Sequence, residues 1–592
     1  MRRVCLIVLV LAAGLLVQPA TNAQQSPVLQ AMQEEMKRAM DGLRLKNEPA
    51  PYYIAYAVED VATAEIRAKL GTVVADDSDR VRTFRVDVRV GDYAFDSSRF
   101  LSFDRDPGEL ASFGAYGLRM PLDDDYTMMR RQMWLATDGA YKRAVQTLSR
   151  KKAAAQSKTA DPDEAPDFSR EPASERVLAV TAPALGAKGW LEDLRKISAV
   201  FASYPDVYGS DVSLLESRGS RYFLNSEGFK VVEPTGQVSI SISASTQAGD
   251  GMPLRDVFSA VGKSLADLPA PTELVARATD MARQLTAARA VPIGDDFTGP
   301  VLLEGQAAPA LLAQSLVPLF LSQRAPDADG MMASFARQSA TPTFLTRIGS
   351  RVLPESFSAS DTPSLQRFGQ APVPGAYGVD DEGVPAKDVK LVQDGKLLTL
   401  LTSRTPQKGL PTSNGHARWG GAQPGVFQVE SARGLPAADM KAKYVQMLKE
   451  QGRPYGYIVR EVAGVADLTA LAMDEDPMAI IAMLTGSGGT RSGPLILRAV
   501  KVLPDGTEQP VRGLNFAAIQ PMTYRLIAEA SRERTIYSFR STSSGGMGAT
   551  TMSSMPPLVS VIAPSLIFEE LEIQRSRDTP LKPPVVPPPA RK

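Results

Sequence analysis

The chain has 592 residues, 44% of them apolar, with 66 lysines and arginines balanced by 66 aspartates and glutamates, which favours two or more globular domains. A net charge near zero argues against a protein built to bind nucleic acid, because such a protein needs a cationic surface. The single histidine and single cysteine exclude a structural zinc site of four such ligands and remove the usual residues of thiol-protease and haem chemistry.

The N-terminus is typical of a secretory signal peptide over residues 1–23. Arg2 and Arg3 precede an uncharged run of 14 residues, which is shorter than the ~20 residues needed to span a bilayer. Small residues then suit cleavage after Ala23. An uncleaved N-terminal anchor is the alternative. We expect a periplasmic or secreted protein with no transmembrane segment and, since Cys5 is removed, no cysteine.

The pattern of residues 24–292 predicts an N-terminal α+β domain, with a mixed sheet and flanking helices. Residues 157–175 are rich in Pro, Asp, Ser and Ala, which predicts a flexible surface insertion. The chain from 212 to 224 predicts a hairpin that turns at Arg218-Gly219. The other predicted elements are helices at 28–46, 126–156, 187–203 and 272–290, and strands at 52–58, 65–74, 84–90 and 237–244.

Residues 293–578 predict a second, strand-rich domain that is antiparallel or barrel-like. A strand at 300–304 leads into a helix at 306–321, and a further helix is predicted at 440–451. Asp-Gly turns predict hairpins at 390–398 and 500–508. Residues 479–484 form a short apolar segment, and residues 579–592 form a Pro-rich, basic tail that we expect to be extended.

Few residues are available for catalysis. A Ser-His-acid triad would have to use His416, and the sequence has no G-x-S-x-G elbow. His416 and the acidic run Asp380-Asp381-Glu382 are compatible with a divalent metal site, but a solvated acidic turn beside a histidine in a loop is the favoured interpretation. Residues 123–125 are three aspartates that suit the N-terminus of a helix better than a calcium site.

The order of several short motifs resembles the TldD/PmbA metallopeptidase family. The motifs are Asn225-Ser226-Glu227-Gly228, the strand 299–304 with the helix after it, Asp380 to Pro385, Asp394 to Leu397, Ser403 to Pro406, Ser413 to Arg418, Pro504 to Gly506 and Pro510 to Gly513. The resemblance is best across 293–515. It implies an α+β protein of peptide processing.

The resemblance also implies a zinc site, built from H-E-x-x-x-H on that helix and a distant cysteine. Here Ala313 and Pro318 stand at the histidine positions and Gln314 at the glutamate position. Glutamine cannot act as a general base and alanine offers no lone pair to a metal. We therefore expect no metal ligand and no cofactor, as in the PmbA-type subunits that lack the motif and pair with a metal-bearing partner.

The sequence thus predicts an exported, non-catalytic or partner-dependent member of this family that binds a peptide. Its partner would be a metal-bearing TldD-like subunit or a second copy of the chain. Near the peptide cleft we place Gln314, Asp381, Glu382, Arg404 and His416. One alternative is an active metallopeptidase with a metal site rebuilt from His416 and residues 380–382. Another is a structural or peptide-binding protein of the envelope, tethered by the Pro-rich tail.

Overall fold

A computed structural model describes residues 26–101, 117–156, 164–328, 343–464, 493–541, 552–576 and 586. The predicted signal peptide and the segment 479–484 lie outside the described residues, as does the tail apart from residue 586. Among the described helices, none has both the length and the apolar character that a membrane span requires.

The helices and strands of the described part alternate along the chain. The α-helices are α1 (Pro27–Gly42), α2 (Tyr126–Ala155), α3 (Leu191–Ala199), α4 (Pro271–Ala288), α5 (Ala307–Ser315) and α6 (Ala437–Glu450). The longer strands are β1 (Pro51–Lys69), β2 (Thr72–Val90), β6 (Gly209–Asn225), β7 (Lys230–Gln247), β8 (Pro253–Gly262), β9 (Phe297–Leu303), β11 (Phe357–Asp361), β14 (Val389–Gln393), β18 (Val426–Ser431), β19 (Gly456–Val462), β20 (Ile496–Val502), β21 (Glu508–Val511), β23 (Ile527–Arg540) and β24 (Leu558–Arg575). The short ones are β3 (Phe100–Leu101), β4 (Leu118–Met120), β5 (Glu175–Val177), β10 (Asp327–Ala328), β12 (Arg367–Phe368), β13 (Ala371–Pro372), β15 (Lys396–Leu397), β16 (Ala417–Arg418), β17 (Gly421–Ala422) and β22 (Leu514–Phe516).

The first sheet is mixed, as predicted, and has the order β4-β2-β1-β6-β7, with β5 and β8 both pairing with β7. Only the β5–β7 pair is parallel among its described pairs. Even-numbered side chains of β1 contact the helices: Tyr56 and Val58 pack with α1 and α2, and Ile66 packs with α3 and α4. Odd-numbered ones, such as Tyr53 and Ala57, face Val379 and Val384 on the opposite side. The sheet therefore lies between its helices and the loops of the second half.

Two strands of this sheet are longer than predicted. The predicted strands 52–58 and 65–74 belong to a single hairpin of β1 and β2, which turns at Leu70-Gly71, both with positive φ. The charged residues between the two predicted strands do not interrupt β1, because buried Asp60 is paired with Arg80 and Arg82 of β2.

The predicted turn at Arg218-Gly219 is wrong, since β6 runs straight through it. A Cβ at Gly219 would lie 2.1 Å from the carbonyl oxygen of Asp60, so this glycine permits close approach of two strands.

The second sheet has the order β15-β14-β11-β18-β24-β9-β19-β20-β21, and β22 and β23 pair with β24. It is open along the described strands, and its β9–β19 and β18–β24 pairs are parallel. The prediction of an antiparallel, barrel-like domain is therefore wrong in these two respects. The reason is that each parallel pair joins strands far apart in the chain, with α5 and α6 between β9 and β19 and α6 between β18 and β24.

Several local predictions are confirmed. The helices at 28–46, 126–156, 272–290 and 440–451 correspond to α1, α2, α4 and α6, and the predicted helix 306–321 is α5 followed by a short 3₁₀ turn at Val317–Phe320. The hairpin of β14 and β15 turns at Asp394-Gly395, where both residues have positive φ. The predicted surface insertion differs, because Asp167, Phe168 and Ser169 are buried.

Candidate functional site

Four of the five predicted site residues lie in one layer of loops, residues 378–386 and 401–418, which packs against the first sheet. The turn at Asp380 organises this layer. Its Oδ1 accepts the N–H groups of Glu382 and Val384, each at 2.9 Å, and its Oδ2 accepts that of Ala417 at 3.0 Å. Burial and the Glu382 charge raise the pKa of Asp380. The acidic run is therefore a packed turn with structural contacts, and not the solvated turn that the sequence allowed.

Asp381 and Glu382 also hold backbone. Asp381 accepts the N–H of Trp419 at 2.7 Å, where Trp419 has a positive φ. Glu382 accepts the N–H of Arg404 at 2.8 Å, and burial raises the pKa of Glu382. The two carboxylates thus connect the turn at 380–385 to the chain at Arg404 and at Trp419.

Arg404 is fully buried and joins this layer to the first sheet. Its Nη1 and Nη2 donate to the two carboxylate oxygens of Glu227 at 2.5 and 2.8 Å. Its Nε and Nη2 donate to the carbonyl oxygen of Ser169 at 3.1 and 2.5 Å. Glu227 belongs to the 225–228 motif, so the contact connects two of the short motifs that sequence analysis singled out.

The Phe168 ring is held between two guanidinium groups. Arg404 Cζ lies 3.9 Å from the ring centroid and Arg89 Cζ lies 3.8 Å from it. Arg89 is in turn paired with Asp87 at 2.8 Å and with buried Asp96 at 3.5 Å. Contacts of this kind are worth most where water is excluded, as here. Residues 167–169 are therefore packed between Arg89 of the first sheet and Arg404 of the loop layer.

His416 is fully buried, and both of its ring nitrogens face oxygen atoms. Nε2 lies 3.2 Å from Asp361 Oδ1, and Nδ1 lies 2.9 Å from Asn414 Oδ1. The Asn414 amide is oriented by its other contacts, because its Oδ1 accepts from Thr402 and its Nδ2 donates to Leu400. Both ring nitrogens of His416 are thus hydrogen-bonded, and the imidazole connects its own loop to Asp361 at the end of β11.

Gln314 lies on α5, away from the other four predicted residues, and does not join their hydrogen bonds among the described contacts. Its Nε2 donates to the carbonyl oxygens of Ala310 at 3.1 Å and Ala463 at 2.9 Å. Ala313 is 8% exposed and the helix around it is packed in the core of the second sheet. Ala313 stands where the family motif would place a histidine, and its side chain has no atom that could bind a metal. Gln314 stands where the motif would place a glutamate, and its amide is hydrogen-bonded to backbone carbonyl groups.

The donor set does not fit the zinc ion that the resemblance implies. Among the described residues, no three His, Cys, Asp or Glu side chains are grouped so that they could hold a metal ion. His416 and the acids of 380–382 do not form such a group, since His416 Nε2 faces Asp361, whereas Asp380 and Asp381 accept the backbone N–H groups of Ala417 and Trp419.

A cavity of about 1030 Å³ lies elsewhere, between the two sheets. It is lined by β8 of the first sheet, by β20, β21 and β23 of the second, and by the β13 residues Ala371 and Pro372. We call it the groove. None of the five predicted site residues is among the described residues that line it. No sequence pattern pointed to the groove, because its walls come from segments far apart in the chain.

An ionic cluster joins the sheets beside the groove. Arg498 of β20 contacts Asp256 of β8 at 2.9 Å, Asp280 of α4 at 3.2 Å and Glu461 of β19 at 2.7 Å. Arg277 of α4 also pairs with Glu461. Burial raises the pKa of both Asp256 and Glu461. The cluster holds four elements around one wall of the groove.

Comparison with known proteins agrees with the motifs. Residues 298–472 match the model of the PmbA/TldA metallopeptidase C-terminal domain, and residues 167–286 match that of the PmbA/TldA metallopeptidase central domain. No curated protein matches the chain.

Solved structures share the fold across 92% of this chain. TldE from Thermococcus kodakarensis is 13% identical, with 100% of that chain covered and a TM-score of 0.54. A proposed modulator of a DNA gyrase from Thermotoga maritima is 15% identical, with 99% covered and a TM-score of 0.54. Another from Bacteroides thetaiotaomicron is 12% identical, with 98% covered and a TM-score of 0.53. With its motifs, its two matching domain models and this shared fold, the chain belongs to the TldD/PmbA family.

Proposed function

We propose that this chain binds an extended peptide in the groove, as an exported member of the TldD/PmbA family that supplies no metal site of its own. The observation that carries the proposal is the groove itself, which is bordered by β8, an edge strand of the first sheet. Among the described strands, β8 pairs with β7 alone, and its ten residues line the groove almost throughout. An extended peptide can add to such an edge through main-chain hydrogen bonds.

The edge of β8 suits this role better than the edge of the second sheet. β21 also pairs with one described strand, β20, but it contains Pro510, which has no N–H to donate. After Pro253, every residue of β8 has an N–H group. Phe258 of β8 and Tyr537 of β23 add aromatic surface to the groove for the side chains of a bound peptide.

The lack of catalysis by this chain alone is supported by α5. Ala313 and Gln314 replace a ligand and the general base of the motif, and Pro318 lies in a 3₁₀ turn where the second histidine would stand. In this proposal, hydrolysis of a bound peptide requires a metal-bearing partner subunit of the same family. Co-purification of such a subunit with the tagged chain from its native envelope tests this requirement, and a tagged chain that recovers no such subunit contradicts it.

Export and domain division are parts of the same proposal. The cationic start and short apolar run of residues 1–23 support export to the periplasm or beyond. Sequencing of the mature N-terminus would contradict export if Met1 remained on cytoplasmic protein.

The two sheets support two domains that meet near residue 293, between the end of α4 and the start of β9.

Blocking the groove is expected to abolish peptide binding. Ala371 is half-buried on the short β12–β13 hairpin and lines the groove, so Ala371→Trp should fill space there with little effect on the core. We expect the Kd for a fluorescein-labelled, alternating Thr/Val peptide of about eight residues to rise at least about tenfold. Fluorescence anisotropy measures this Kd.

Two controls isolate main-chain pairing. Ala371→Ser should bind the peptide as the parent chain does. The same peptide with alternate backbone nitrogens methylated keeps its side chains but cannot pair with a strand, so it should fail to bind. Equal binding of methylated and unmethylated peptide would contradict pairing with β8, and unchanged binding by Ala371→Trp would place the peptide elsewhere.

A further inference from the structure

Arg540, the last residue of β23, is a half-buried cation that forms no ion pair with any described residue. Its Nη2 donates to the Ser239 hydroxyl at 3.4 Å, and its Nε has no hydrogen-bond partner in the described part of the chain. Burial lowers the pKa of Arg540, and no described carboxylate opposes this change. A buried cation without an opposite charge is costly, so this guanidinium would gain from binding an anion.

The Arg540 guanidinium lies at one end of the groove. Ser538, two residues earlier on β23, lines the groove, and so does Val261 of β8. Ser239, which Arg540 contacts, is the register partner of Val261 in the first sheet. Val261 and Ser538 are the last residues of β8 and β23 that line the groove. Arg540 therefore reaches from the second sheet to the first at the point where these two walls end.

The other charges near this end have partners of their own. Lys263 directly follows β8, and burial and the Arg418 charge lower its pKa. Arg418 is in turn balanced by acids of the loop layer. Two carboxylates face Lys263: Asp267 accepts two backbone N–H groups at 2.9 Å, and Glu233 pairs with two arginines. Among these described groups, Arg540 is the cation whose charge is left uncompensated.

We infer that Arg540 binds the C-terminal carboxylate of the peptide in the groove, an inference that rests on the proposed function. A guanidinium donates two parallel hydrogen bonds to one carboxylate, and such charged pairs are short and strong. A peptide that fills the groove along β8 brings one terminus next to Val261 and Ser538, beside Arg540. With its C-terminus there, the peptide runs in the same direction as β8 and pairs with it in parallel. The groove then prefers peptides with a free C-terminus to the interior of a longer chain.

The Thr/Val peptide, labelled at its N-terminus, tests the inference as a free acid and as a C-terminal amide. With the full chain lacking residues 1–23, anisotropy should give a Kd at least about tenfold lower for the acid, because the amide cannot form the charged pair. Equal, measurable Kd values would overturn the inference and leave peptide binding in the groove standing. If neither peptide bound, both would be overturned. An amide peptide ending in glutamate that bound as tightly as the free acid would assign Arg540 to a side chain, which also overturns the inference.

Arg540→Gln tests the assignment to this residue. The variant should bind both peptides with the Kd that the parent chain has for the amide, and its binding of the amide shows that it is folded. Arg532 is exposed on the same strand and does not line the groove, so Arg532→Gln is the matched control and should keep the preference for the acid. A preference that survived Arg540→Gln would place the carboxylate elsewhere and overturn the inference.

Cross-linking tests the direction of the peptide. A benzophenone group on the N-terminal residue should react near Met252 and Pro253, which line the groove at the start of β8. The same group on the C-terminal residue should react near Val261 and Ser538. Mass spectrometry of the linked fragments locates both sites, and the reverse pattern would overturn the inference.

Discussion

Replacing Arg404 by methionine is expected to lower the stability of the fold by about 3–5 kcal/mol. The guanidinium is fully buried, and its loss leaves Glu227 without the cation that contacts both of its oxygens. The Ser169 carbonyl loses two donors, and Phe168 keeps Arg89 on one face only. Urea unfolding, followed by tryptophan fluorescence, measures the loss as a lower midpoint.

Two variants calibrate this result. Arg433 is exposed, so Arg433→Met should change stability by less than about 0.5 kcal/mol. Arg404→Lys keeps the charge but cannot donate to Glu227 and Ser169 in the same plane, so we expect a loss between the two. A midpoint for Arg404→Met equal to that of Arg433→Met would show that the buried contacts do not hold the two sheets together.

His416→Ala is expected to destabilise the fold by about 2–5 kcal/mol, because it leaves a cavity in a buried site and removes one of the hydrogen-bond partners of Asp361, which keeps the N–H groups of Gly425 and Val426. The result also separates two accounts of this residue. If His416 bound a catalytic metal, its loss would remove hydrolysis and leave stability nearly unchanged. Thermal unfolding and peptide hydrolysis, measured on the same preparation, distinguish the two.

A neighbouring variant serves as the control for His416→Ala. The Tyr377 hydroxyl donates one hydrogen bond to the Gly415 carbonyl at 2.7 Å, and its ring packs edge-on against His416. Tyr377→Phe removes that bond alone and should cost about 1 kcal/mol. A His416→Ala protein as stable as Tyr377→Phe would mean that the His416–Asp361 pair contributes little to the fold.

Local patterns predicted the helices and the Asp-Gly hairpins well, because these depend on residues close in sequence. The same signals misplaced the turn at Gly219, since a glycine that permits close packing of strands cannot be told from one that turns the chain. The long central strand β24 was not predicted. It pairs with β22 and β23, which precede it, and also with β9 and β18, which lie far away in the chain.

The candidate site shows the same limit. Sequence order placed Gln314, Asp381, Glu382, Arg404 and His416 near one cleft. In the structure the last four lie in neighbouring loops, and Gln314 lies apart on α5. The sequence could not show that Arg404 and His416 are fully buried, or that all four side chains are bound to backbone or to other side chains and so have a structural role. The groove could not be predicted from the sequence, because β8, β20 and β23 come together only when the two sheets pack.

The most direct test of this account is the metal content of the chain purified in its native, processed form and separated from any partner. Elemental analysis by mass spectrometry should find transition metals far below one per chain, while the Thr/Val peptide still binds. A stoichiometric, tightly held ion, together with peptide hydrolysis that a chelator removes, would contradict the account.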